Sequence, residues 1–150
     1  MTRTRKRIRN RRCRRRRYQG KSKSLIVRQI VDPQTQLAGC IDQIEREVAL
    51  VMGVPFSHIY EVRLRKHQLW VSYRGSDGGR CAQFFSYRVL PIWQNLVIQA
   101  ANNRASLEDW WEMWVTAQWE YNRFDYPEEI KKAIQQALAQ RFFELIAQAA

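Results

Sequence analysis

The sequence lacks most of the features that would assign it to a secreted, membrane or metal-binding class. Its three cysteines, Cys13, Cys40 and Cys81, lie far apart, so no pair has the spacing of a zinc site, and the odd number argues against a disulfide framework. No apolar run approaches the roughly 18 residues that a membrane span requires, and the first residues contain no apolar secretory core. We therefore expect an intracellular protein, in the cytoplasm or nucleoid, with reduced thiols and no membrane contact.

Catalytic patterns are also scarce. His58 and His67 have no metal-ligand spacing to a cysteine or to each other. The string GSDGG at residues 75 to 79 lies between two predicted strands, where a hairpin turn accounts for its glycines. The sequence therefore predicts no catalytic residue, no metal, no cofactor and no small-molecule substrate. A small metal-dependent nuclease is kept as a third alternative, because acids from distant segments can converge in a fold.

One string, LAGCIDQIE at residues 37 to 45, opens like the LAGLIDADG helix of homing endonucleases. In that motif the eighth position carries the metal-binding acid, and here the eighth position is Ile44. Asp42 matches only the first acid of the motif, which is not catalytic. The chemistry of the motif is therefore absent, and the string does not predict a homing endonuclease.

Positive charge is concentrated at the N-terminus. The chain has 150 residues and a net charge of +12, and thirteen of its 26 basic residues lie in residues 1 to 23, which contain no acid. Residues 24 to 150 hold the other thirteen basic residues against all 14 acids, so this part of the chain is close to neutral. The basic residues of this arm are Arg3, Arg5, Lys6, Arg7, Arg9, Arg11, Arg12, Arg14, Arg15, Arg16, Arg17, Lys21 and Lys23.

The composition of the arm indicates a polyanionic partner. A block of like charge repels itself and buries no apolar surface, so we expect the arm to be disordered until a polyanion neutralises it. Arginine makes planar, bidentate contacts with phosphate, and each contact releases condensed counterions. The arm resembles the RNA-packaging arms of some viral coat proteins, the tails of ribosomal proteins and arginine-rich RNA-binding segments. The sequence therefore predicts binding to nucleic acid, with RNA favoured over DNA.

Residues 24 to 150 predict one α+β domain, in which strands and helices are largely segregated. The run SLIVRQIV at residues 24 to 31 is typical of a strand or of a buried helix start, and Asp32 followed by Pro33 predicts the start of a helix. We expect a three-stranded antiparallel meander and about four helices. The predicted ranges are a helix over 33 to 52, strands over 60 to 65, 69 to 74 and 81 to 89, and helices after Pro91, over 106 to 124, and from 128 onward.

The alternation of residues in the meander predicts two different faces. One face is apolar and is expected to lie on the core: Tyr60, Val62, Leu64, Leu69, Val71, Tyr73, Cys81, Phe85 and Val89. The other face combines basic, aromatic and small polar residues: Arg63, Arg65, Trp70, Ser72, Arg74, Phe84, Ser86 and Arg88. Four arginines interleaved with two aromatic residues predict a nucleic-acid platform, with Trp70 or Phe84 stacking on a base. The alternative is a second core covered by helices, in which the arginines would pair with Glu108, Asp109 or Glu112.

The predicted helix over residues 106 to 124 is unusually rich in tryptophan. Helical spacing puts Trp110, Trp114 and Tyr121 near one face, with Trp111 and Trp119 on other sides. A helix that is apolar on most sides is either central in its domain or contacts a partner. We expect either central packing or a protein partner at this helix, since tryptophan is favoured in interface anchors.

Together these patterns predict a non-enzymatic nucleic-acid-binding protein that is an accessory or structural subunit of a ribonucleoprotein, or of a mobile-element, phage or defence assembly. The alternative is a capsid or genome-packaging protein, which would place the chain in a virion. The predicted domains are the basic arm, residues 1 to 23, and a single domain, residues 24 to 150.

Overall fold

The computed structural model describes residues 30 to 150 and shows an α+β fold of five helices and a three-stranded antiparallel sheet. The helices are α1 (Pro33–Gln36), α2 (Ile41–Met52), α3 (Pro91–Asn102), α4 (Leu107–Arg123) and α5 (Glu128–Ala149), and the strands are β1 (Ile59–Leu64), β2 (Leu69–Arg74) and β3 (Arg80–Phe85). The predicted fold class is therefore confirmed. The basic arm and most of the predicted strand over 24 to 31 lie outside the described residues, and Ile30 and Val31 form a bend.

The single helix predicted over residues 33 to 52 is wrong, because the chain turns between α1 and α2. Asp32 caps α1 as expected, since its carboxylate accepts a hydrogen bond from the backbone N–H of Gln34 at 3.3 Å. The helix ends after one turn at Leu37, whose side chain is fully buried in the core. Gly39 lies in the turn that follows, and glycine inside a helix costs about 1 kcal/mol relative to alanine. The local cost of continuing the helix and the burial of Leu37 both favour the break.

The sheet has the predicted order β1-β2-β3, and each strand pairs with its neighbour along the chain. The structure matches the predicted range of β2, starts β1 one residue early, and ends β3 at Phe85 instead of residue 89. After Phe85 the chain forms a 3₁₀ turn, Tyr87–Val89, in which Tyr87 and Arg88 are buried. The extended pattern therefore stops where the chain turns from the sheet toward the helices.

Helix α2 packs against β1, and α3, α4 and α5 form a second group of helices. The carboxylate of Glu47 in α2 links the two groups by accepting a hydrogen bond from the first turn of α3, at the N–H of Ile92, 2.9 Å away. Ser106 caps α4, because its Oγ accepts a hydrogen bond from the N–H of Asp109 at 3.1 Å. Helix α5, in contrast, starts after Pro127 without a side-chain cap. None of the helices in residues 30 to 150 has the length and apolarity needed to cross a membrane.

Candidate nucleic-acid interface

The face of the sheet opposite α2 carries a row of three large side chains at the end near the β1–β2 turn. Arg63 pairs with Trp70, and Trp70 pairs with Phe84, so the three side chains lie side by side across β1, β2 and β3. Phe84 is 57 % exposed, whereas Trp70 is half-buried. This face is therefore open to solvent at Phe84, and helices do not cover it as a second core.

A β-bulge adds Tyr60 to this face. The pairing of β1 with β2 shifts between Ile59 and Glu61, so one extra residue lies in β1 at this point. Tyr60 is 48 % exposed, and the guanidinium of Arg80 lies over its ring at 5.3 Å from the centroid. The prediction that Tyr60 belongs to the core face is therefore wrong, because the bulge changes the alternation before the middle of the strand. We call this surface the sheet platform, formed by Tyr60, Arg63, Trp70, Arg74, Arg80 and Phe84.

Arg63 has two partners on the platform. Its guanidinium lies over the ring of Trp70 at 4.9 Å from the centroid, and its Nε donates to the carboxylate of Glu61 at 2.6 Å. This hydrogen bond and the positive charge lower the pKa of Glu61 below its ordinary value. A phosphate group that binds Arg63 therefore competes with Glu61, and a base that stacks on Trp70 competes with the guanidinium. Among residues 30 to 150, no guanidinium lies over the ring of Phe84, and Phe84 has no charge that a carboxylate could occupy.

Arg80 is a platform residue that the sequence analysis missed. It opens β3 opposite Arg74, and its Nε donates to Ser72 Oγ at 2.8 Å, which holds the guanidinium above the sheet. The predicted strand began at Cys81, one residue too late. The signal was present, because Arg80 lies two and four residues before Ala82 and Phe84 and so shares their face.

Arg65 and Arg74 lie at opposite ends of the sheet, Arg65 beyond the platform and Arg74 at its edge, and both are exposed. Arg65 follows β1, where its N–H donates to the carbonyl of Gln68 at 3.0 Å and its own carbonyl accepts from the hydroxyl of Tyr87. Arg74 ends β2, directly before the hairpin turn. The fold therefore brings Arg63, Trp70 and Arg74 onto one strand pair, with Arg65 just beyond it.

Arg88 is not part of the platform, and its assignment as a nucleic-acid ligand is wrong. Only 2 % of this residue is exposed. Its guanidinium donates two hydrogen bonds to the carboxylate of Glu120, at 3.2 and 3.0 Å, and lies 3.7 Å from the centroid of the Phe124 ring. The reason is the early end of β3: Arg88 lies in the 3₁₀ turn and points into the helical group.

The buried pair continues into a short chain of hydrogen bonds. The hydroxyl of Tyr126 donates to the carboxylate of Glu120, and the indole N–H of Trp93 donates to that hydroxyl at 3.2 Å. Burial, together with the nearby charge of Glu120, raises the pKa of Tyr126. Sequence reasoning expected any buried arginine of the meander to pair near the start of α4, at Glu108, Asp109 or Glu112. The actual partner of Arg88 is Glu120, which lies about two helical turns beyond Glu112 in α4.

The charge of the described residues is unevenly distributed. Residues 30 to 150 contain twelve basic and fourteen acidic residues, a net charge of −2, whereas residues 59 to 85 contain five basic and two acidic residues, a net charge of +3. One of the two acids, Asp77, caps the hairpin turn by accepting from the N–H of Gly79 at 2.9 Å. The sheet is therefore the positive part of a nearly neutral body.

The opposite face of the β2–β3 hairpin borders an open cleft of about 920 Å³. The lining of the cleft includes Met52 at the end of α2, together with His58, Tyr73, Arg74, Cys81 and Phe85. Within the part of the chain that the structure describes, no group of three His, Cys, Asp or Glu side chains could hold a metal ion. Cys81 and Cys40 are free thiols and are half-buried.

Comparisons with protein-family models, with curated proteins and with solved structures return no match to this chain.

Proposed function

We propose that this protein binds nucleic acid without catalysing a reaction, and that single-stranded RNA is its preferred partner. The observation that carries the proposal is the sheet platform, where the exposed rings of Phe84 and Tyr60 lie among guanidinium groups on the positive side of the body. Aromatic rings on a sheet surface stack on unpaired bases, and neighbouring arginines bind the phosphates that connect them.

The arm and the platform have different roles in this proposal. The thirteen basic residues of the arm supply most of the affinity, because neutralising phosphates releases counterions irrespective of sequence. The platform adds contacts that only unpaired bases can make, with Phe84 as the main stacking residue and Arg63 and Arg80 at the phosphates. RNA is favoured because arginine-rich segments that bind RNA are common and because stacking on a sheet selects single strands.

This arrangement suits an accessory or structural subunit of a ribonucleoprotein, or of a mobile-element, phage or defence assembly, located in the cytoplasm or nucleoid. The experiment is to purify the native full-length protein, extract the bound nucleic acid, and sequence it before and after ribonuclease treatment. A defined RNA is the expected result. Purification as a symmetric particle of many copies would instead support a capsid or packaging protein. Metal-dependent cleavage that survives removal of the arm would support a nuclease.

A second experiment separates the arm from the platform. Deleting residues 1 to 23 is expected to remove most of the affinity and to flatten its salt dependence. If seven arm cations contact the phosphates of a single strand, log affinity falls with log salt at a slope of about −5 in the full chain. Binding of the shortened chain as tight as that of the full chain would contradict the assignment of the arm.

A further inference from the structure

Helices α4 and α5 pack against each other in antiparallel directions. Near the start of α4, the indole N–H of Trp110 donates to the carbonyl of Leu138 in the middle of α5 at 2.8 Å. Near the end of α4, the ring of Tyr121 lies below the ammonium group of Lys131 in the first turn of α5, at 5.5 Å. The two helices therefore run in opposite directions side by side, joined by the short connection over residues 124 to 127.

This packing brings two exposed aromatic side chains to the same surface. Trp110 and Phe142 meet between the helices, with ring centroids 4.7 Å apart. The next residue in each helix is rotated by about 100°, and because the helices are antiparallel both rotations lead to the same side of the pair. Trp111 is 60 % exposed and Phe143 is 69 % exposed on that side.

Two aliphatic residues extend this surface by one turn. Leu107 lies four residues before Trp111, and Ile146 lies three residues after Phe143, and both are exposed. We call the four residues, Leu107, Trp111, Phe143 and Ile146, the α4–α5 patch. Sequence reasoning expected either central packing or a protein partner at α4, and it did not include α5 in the surface.

The size of the patch matches what a stable interface requires. A fully exposed aromatic side chain offers about 150–250 Å², so the four side chains together present roughly 400 Å² of apolar surface. That area is in the range of the largest patch on an ordinary monomer, roughly 300–600 Å², where such patches are often functional. Two patches placed face to face, with a polar rim of ordinary proportion, give an interface close to the standard total of about 1,600 Å².

The charges around the patch favour a second copy of this chain over a charged partner. After Leu138, the only charged residues of α5 are Arg141 and Glu144, and their side chains form an ion pair at 2.9 Å. The α5 half of the patch is therefore electrically neutral, whereas the first turn of α4 carries Glu108 and Asp109. A two-fold axis parallel to the helices would place each α4 over the neutral α5 of the other copy and keep the acids apart.

We propose that the chain forms a two-fold symmetric dimer through the α4–α5 patch. The dimer joins two basic arms and two sheet platforms, so that a polyanion engaged by one copy is held close to the other. This inference does not depend on the proposed function, because the patch and the platform lie on different elements and can be tested separately.

The test is sedimentation equilibrium of the full-length protein after nuclease treatment, in low salt and in about 1 M salt, where the screening length falls to about 3 Å. The expected result is a species of twice the chain mass that persists in high salt, because apolar burial is not screened. Trp111→Glu and Phe143→Glu are each expected to weaken the dimer by about 30-fold or more, the effect of losing one interface hot spot. Leu50→Glu is the matched control, since Leu50 is 80 % exposed on α2 and lies outside the patch.

Circular dichroism and thermal unfolding show whether each variant is folded. If one of the two patch variants does not fold, the other one still tests the proposal. A monomer in both salt conditions would overturn the proposal, and so would a dimer that the two patch variants leave unchanged. An assembly that disappears in high salt would also overturn it, because bridging by residual polyanion would then explain the association. A full-length protein that forms the dimer but does not bind nucleic acid would support this proposal and count against the proposed function alone.

Discussion

Replacing Arg88 tests the assignment of its guanidinium to the buried ion pair. In the Arg88→Met variant, the carboxylate of Glu120 stays fully buried, and the hydroxyl of Tyr126 is the one hydrogen-bond donor that remains to it within residues 30 to 150. Removing one partner of a buried pair costs about 3–5 kcal/mol, because the remaining charge is uncompensated. We expect a loss of folding free energy of this size, measured by urea denaturation with tryptophan fluorescence as the probe.

The double variant Arg88→Met with Glu120→Leu separates the pair from ordinary packing. Replacing both charges with apolar groups of similar volume is often close to neutral, although the hydroxyl of Tyr126 then loses its acceptor at a cost of about 1–3 kcal/mol. The double variant is therefore expected to be more stable than either single variant. A double variant whose loss equals the sum of the single losses would mean that the two residues do not interact.

The same variants decide whether Arg88 takes part in binding. Because Arg88 is buried, folded Arg88→Met protein is expected to bind nucleic acid as tightly as the unmodified chain. A change in folding free energy below about 1 kcal/mol, combined with weaker binding and a shallower salt slope, would place Arg88 on the platform after all. That outcome would refute the reasoning from burial and hydrogen bonding.

Three further predictions follow from named groups. Burial raises the pKa of Tyr87 to about 12, so the stabilisation of the fold by its neutral phenol is complete below the unfolded pKa of about 10 and is lost as the pH rises from about 10 to 12. The folding free energy is therefore expected to drop by roughly 2–3 kcal/mol over that range, and the drop is expected to be smaller in Tyr87→Phe. Glu61→Gln frees Arg63 and is expected to tighten RNA binding and to steepen the salt slope by about one, and weaker binding in this variant would contradict the placement of Arg63 at a phosphate. Chelator and reductant are expected to leave the thermal transition unchanged, and a large drop with either would reveal a metal or disulfide that stabilises the fold.

Strand β2 illustrates what alternation alone can predict. Its boundaries were predicted correctly, and Leu69 and Val71 are buried while Trp70 lies on the opposite face. A central strand with neighbours on both sides has a fixed register, so its pattern of period two holds along its whole length. The chain order of strands and helices and the α+β class were predictable for the same reason, because each long element carries its own periodicity.

The errors lie where tertiary contacts override local pattern. Tyr60 appeared to belong to the core face because a bulge cannot be read from alternation, and Arg88 appeared to continue β3 because its spacing from Phe84 is even. The break after α1 depends on the burial of Leu37, which is a long-range contact. The pairing of Arg88 with Glu120 joins residues 32 positions apart, and no local signal specifies such a partner.

The candidate site was therefore partly predictable. Arg63, Trp70, Arg74 and Phe84 could be assigned to one face from spacing alone, and Arg80 required only a strand that starts one residue earlier. Which of the two rings, Trp70 or Phe84, is free to stack on a base could not be predicted, because it depends on where Arg63 lies. Its guanidinium covers the ring of Trp70 and leaves that of Phe84 open.

The most direct test of the central claim is the affinity of the full-length protein for a single-stranded RNA oligonucleotide, compared between the unmodified chain and Phe84→Ala. Loss of one base stack is expected to weaken binding by about 1–3 kcal/mol. Because stacking releases no counterions, the difference should stay constant as the salt concentration rises, while the folding free energy changes by less than about 0.5 kcal/mol. Leu50→Ala serves as the control for removing an exposed apolar side chain. Equal affinity of Phe84→Ala and the unmodified protein at every salt concentration would contradict the claim that the sheet platform binds unpaired bases.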